Sequence, residues 1–102
     1  MTIIKCLSEL IEEELEDADK YIDLAVKWKT DDPDTADLFH ELSVEEMGHV
    51  DKLHSRVAKL IEEYREEDGE PPAGMMTLYN YLHERHIKTA TNIRIKQGMY
   101  KG

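Results

Sequence analysis

Up to residue 67 this chain has one obvious place to reverse direction, the run Thr30-Asp31-Asp32-Pro33. Before it, Ile4, Leu7, Ile11, Ala18, Tyr21, Ala25 and Trp28 recur at three- and four-residue steps. That is the period of a helix with one apolar face, and it predicts a helix from Thr2 to Lys29. Asp32 is placed to cap a second helix with Pro33 in its first position, where a missing N–H costs nothing. This second helix is predicted to run to Glu67, about 50 Å at 1.5 Å per residue. Two long helices joined by so few residues must fold back antiparallel.

The remaining break is Asp68-Gly69-Glu70-Pro71-Pro72-Ala73-Gly74. The expected organisation is a helical hairpin over residues 1–68, a linker over 69–74 and a C-terminal helix within 75–102. That third helix is predicted from Met75 to Gly98, with Met76, Tyr79, Leu82, His86, Ala90 and Ile93 on one side. At 102 residues the chain is one small domain, and its scarcity of Gly and Pro suits an all-α fold.

Charge divides the chain. Residues 1–74 hold 22 acidic and 8 basic side chains, whereas the remainder holds Glu84 against Arg85, Lys88, Arg94, Lys96 and Lys101. The basic third helix is therefore expected to pack on the acidic hairpin, its own or a neighbour's. A formal net charge of -10 argues against nucleic acid as a partner and concentrates cations near the surface. Cys6 stands alone, so no internal disulfide is possible and a cytoplasmic setting is expected. The opening residues run into Glu12-Glu13-Glu14, unlike a signal peptide, and no apolar run is long enough for a membrane span.

On the second helix, Glu46-Met47-Gly48-His49 places a carboxylate and an imidazole three residues apart, hence on one face. The face predicted to be buried is Phe39, Leu42, Glu46, His49, Leu53, Val57, Leu60 and Tyr64. A Glu is rarely hidden unless something pairs with it, and Glu-x-x-His aimed into a helical core is half of a carboxylate-bridged two-metal signature. With the turn near residues 31 and 32, residues at one level of the hairpin sum to about 63. Glu14 then faces His49, and Asp17 faces Glu46. One hairpin thus supplies Glu14, Glu46 and His49 as metal ligands, half of the four carboxylates and two histidines of a two-metal helix bundle. A twofold homodimer would double the set and form a four-helix bundle around two metals. Carboxylates with imidazoles suit iron, with manganese or zinc as alternatives.

Other ionisable side chains read more plainly. His40 and His54 are expected on exposed flanks, Asp17 and Glu45 in solvent, and His83 and His86 at a helix interface. No His-Glu-x-x-His, nucleophile elbow, glycine-rich phosphate loop or Cys-based zinc pair is present. The competing reading is a non-enzymatic acidic helical dimer or adaptor, with a structural metal or a buried Glu–His pair fixing helix register.

At Glu14, Tyr21, Glu46 and His49 the chain resembles the ferritin-like superfamily, and within it the encapsulated ferritins; rubrerythrin-like proteins are a more distant likeness. In that family a helix-one Glu, a Tyr seven residues on and a helix-two Glu-x-x-His carry the site. The resemblance implies a di-iron centre, two irons per dimer, that oxidises Fe(II) with dioxygen or peroxide in an annular assembly of dimers. Glu46 would bridge the metals, Glu14 and His49 would complete their shells, and Tyr21 would be the catalytic side chain, bonding a ligand or donating an electron. The chain departs from the pattern at Lys20, where the family often has Trp. Its C-terminal residues also lack the family's apolar shell-targeting signature, so packaging in an encapsulin-type shell is not carried over.

Overall fold

In a computed structural model of the chain, which describes residues 2–102, three α-helices follow one another. They are α1 over Thr2–Trp28, α2 over Pro33–Asp68 and α3 over Ala73–Lys101. Among the described residues there is no strand, and no helix is long and apolar enough to cross a membrane. The molecule is a rod of 55 × 20 × 18 Å. Its length is that of α2, whose 36 residues span about 54 Å.

The helix boundaries have local causes. Asp32 caps α2: its Oδ1 accepts from the Thr35 N–H at 3.2 Å and its Oδ2 from the Thr35 hydroxyl at 2.8 Å, with Pro33 at the first position. At the far end Gly69 adopts φ 80° and ψ -159°, a conformation essentially reserved for glycine, and its N–H bonds to the Arg65 carbonyl. After Pro71 and Pro72, α3 begins at Ala73 rather than the predicted Met75. Gly74 is taken into its first turn, and Gly98 likewise lies inside the helix, which continues to Lys101.

α1 and α2 form the expected antiparallel hairpin, and α3 lies along one side of it, parallel to α1. Contacts between α3 and the α1 end of the hairpin keep a near-constant sequence separation, 73 for Asp23 with Lys96 and 71 for Lys29 with Tyr100. Those with α2 widen from 29 at His54–His83 to 63 at Asp37–Tyr100, as an antiparallel pair requires. The basic third helix does meet the acidic hairpin. Lys96 Nζ donates to Asp19 at 2.9 Å and Asp23 at 3.0 Å, Arg94 donates to Asp51 at 2.9 Å, and Arg85 lies 3.7 Å from Glu12. Each exposed pair contributes little alone; aligned along one helix, they fix which side of the hairpin α3 takes.

The core is narrower than the hydrophobic pattern suggests. α1 buries Ile4, Ser8, Ile11, Leu15, Ala18, Ile22 and Ala25, while α2 buries Ala36, His40, Ser43, Met47, Val50, Val57 and Ile61. Near the middle, the Ser43 hydroxyl donates to the Ala18 carbonyl at 2.7 Å and accepts from Gln97 Nε2 at 2.9 Å, so one small side chain ties three helices.

The face predicted as buried on α2 is therefore displaced. Phe39, Leu42, Glu46, Leu53, Leu60 and Tyr64 are half-buried, His49 is exposed, and only Val57 of that set is fully covered. The cause is that α2 touches α1 on one side and α3 on another, so its hidden line runs between the two contacts. For the same reason His40 is buried, not exposed, and stacks on Tyr100 at 4.9 Å between ring centroids. His54, also expected on an open flank, is half-buried with Nε2 2.8 Å from His83 Nδ1.

Candidate metal centre

Glu14 sits one turn beyond Ile11 on α1, and Glu46 and His49 flank Met47 on α2. Because their immediate neighbours Leu15, Met47 and Val50 fill the core, these three side chains project from the edge of the α1–α2 seam. That edge is the one facing away from α3. Glu12, two residues before Glu14 and so about 200° around the helix, is the one that reaches Arg85 of α3.

The three functional groups converge. His49 Nδ1 lies 3.3 Å from Glu14 Oε2 and 3.6 Å from Glu46 Oε2. One ligand atom from each residue falls within 4.8 Å of the others, and this is the only such group of three among the described residues. Side-chain exposure grades across the cluster, 20% for Glu46, 28% for Glu14 and 53% for His49. Glu46 Oε2 is sealed from solvent and has no hydrogen-bond partner. A buried carboxylate oxygen left unpaired costs free energy, and a cation between it, Glu14 and His49 would satisfy it. Two carboxylates and an imidazole suit iron, manganese or zinc, so the donor set fits such an ion.

Tyr21 stands seven residues from Glu14, about 10 Å along the helix. Its ring stacks on Phe39 with centroids 6.4 Å apart, and it does not join the ligand cluster. Asp17 is exposed and also lies outside it. Along the same edge α1 presents Leu7, Leu10, Glu14, Tyr21, Leu24 and Trp28, while α2 presents Phe39, Leu42, Glu46, His49 and Leu53. All are half-buried or exposed. The steps of three, four and seven are those of a helix–helix seam, with the Glu–Glu–His group at its middle. Sequence reasoning missed the polar links elsewhere, His54–His83, Ser43–Gln97 and the Tyr100 hydroxyl donating to Asp37. Each joins residues distant in the chain, and no local spacing announces it.

Comparisons with protein-family models, curated proteins and solved structures find no match for this chain.

Proposed function

We propose that this protein is a ferritin-like ferroxidase whose centre assembles when two hairpins pair through the edge that carries Glu14, Glu46 and His49. The observation that carries the reading is the convergence of these three groups around a buried carboxylate oxygen that accepts no hydrogen bond. Half-exposed apolar side chains flank them on a face that α3 leaves open. Pairing about a twofold axis would bring four carboxylates and two imidazoles to one level.

Ferrous ions are the substrate. Two of them lose one electron each, dioxygen takes both with two protons, and hydrogen peroxide and two ferric ions result. Glu46, the most enclosed ligand, would lie between the two ions, with Glu14 and His49 holding each from the sides. Tyr21 would act from the neighbouring level of the bundle. Covering of this edge by a second hairpin would strengthen the carboxylate–cation attraction, and the acidic hairpin draws cations toward it.

Anaerobic titration with Fe(II), followed by air, tests this. The expected result is ferric absorbance saturating at one iron per chain, lost in Glu46→Ala. A chain that stays colourless, and is indifferent to that substitution, would leave only the adaptor reading. Metal-dependent dimerisation without iron turnover would indicate a structural ion.

A further inference from the structure

The first half of α3 is lightly held. All four buried residues of this helix, His86, Ala90, Ile93 and Tyr100, lie at or beyond position 86, and its start at Pro72 has no side-chain cap. The second half is fastened by Lys96 to Asp19 and Asp23, Arg94 to Asp51, and the Tyr100 hydroxyl to Asp37. In the first half Arg85 lies 3.7 Å from Glu12 of α1, and His83 Nδ1 meets His54 Nε2 of α2 at 2.8 Å.

That pair has a constrained proton count. The rings are nearly parallel, at 14°, with centroids 4.5 Å apart. Within this offset stack the His54 Nε2 and His83 Nδ1 atoms come to hydrogen-bond distance, 2.8 Å. In this arrangement an N–H of one enters the lone pair of the other. Fully protonated imidazoles have only donors; two of them here would lose the bond and set like charges against each other. We infer that His54 and His83 form an acid-released clasp between α2 and the first half of α3.

The surroundings favour the neutral pair. Burial, then the neighbouring His83, hold His54 below its usual range, against a smaller opposing pull from Asp51 on the same helix. Tyr79 stacks on His83 at 5.5 Å, and burial pushes its phenol up, so it stays uncharged. One turn on, burial also holds His86 down. Glu12 of α1 opposes that shift, while Arg85, His83 and His54 add to it. His86 Nε2 is sealed without a partner, so a proton placed there would have no acceptor.

A histidine whose folded pKa is depressed supports docking above its free value of about 6.5, and that support fades as pH falls below it. Opened, the helix takes up protons that the docked helix refuses. Each such proton raises the opening equilibrium about tenfold per pH unit. The second half is held by buried Ala90, Ile93 and Tyr100 and by the contacts of Arg94, Lys96 and Tyr100 with the hairpin, so opening stops near Lys96 and lifts Met76 and Tyr79 off the core.

Amide hydrogen exchange of the full chain, with chelator present so that the outcome is independent of iron, tests this at pH 7.5 and 5.5. After correction for intrinsic rates, protection over residues 76–86 should fall about tenfold or more relative to residues 93–101. In His54→Gln/His83→Gln at least half of that pH slope should disappear. Equal protection at both pH values, or an unchanged slope in the double variant, would overturn the clasp. Should the variant fail to fold, nitrogen-15 NMR of the unaltered imidazoles decides. One ring of the pair should stay neutral after the other has charged, and independent titration of both would refute the inference.

Discussion

Glu46 is under opposing demands from stability and binding. Its Oε2 is hidden and accepts no hydrogen bond, an arrangement that costs a metal-free chain about 1–3 kcal/mol. Replacing it by an apolar side chain of similar length removes the unpaired oxygen and the charge together. Glu46→Leu is therefore expected to raise metal-free stability by about 1 kcal/mol while abolishing any stabilisation by added Fe(II) or Zn(II). Urea unfolding with and without metal reads both effects. A variant less stable than the parent without metal would mean that the attraction of His49, 3.6 Å away, outweighs the missing hydrogen bond. Glu14, Glu46 and His49 are legible in the sequence because their meeting needs only helix periodicity and the position of one turn. The burial of His40 and Ser43 is not, because it depends on where α3 lies.

The two helices of the hairpin are specified locally, by capping and by the break at residues 30–33. Asp32→Ala removes both bonds to Thr35 and should lower the unfolding free energy by about 1 kcal/mol. Thermal or urea denaturation monitored by circular dichroism measures this, and Asp32→Asn, whose amide oxygen can still accept from the Thr35 N–H, should keep most of the parent stability. α3 is less well specified by pattern. Leu78, Tyr81, Ile87, Ile95 and Met99 remain exposed around it, so apolar side chains point in several directions and periodicity alone picks no face. Its docking is legible instead through charge, since Arg85, Arg94 and Lys96 all meet carboxylates of the hairpin. Hydrophobic spacing on α2 misleads for a related reason. Phe39, Leu42 and Leu53 mark an edge that is only half covered within one chain, and the true core line is written in smaller residues.

That half-covered edge is where whole molecules are expected to meet. Leu10, exposed on α1 four residues before Glu14, would lie within the proposed interface. Leu10→Lys should shift the assembly toward monomer and weaken iron binding at least tenfold, about 1.4 kcal/mol, although it touches none of the three ligands. Sedimentation velocity with and without metal checks the first effect, and an unaltered sedimentation coefficient would place the interface elsewhere. The direction of α3 has a mechanical result as well. Because it runs parallel to α1, Thr2 and Lys101 lie about 39 Å apart along the rod, the length of α1. A peptide bridging them would need about twelve extended residues. A tensile load applied through those two points acts along the helix axes, so α3 must slide past α1 before it can peel away.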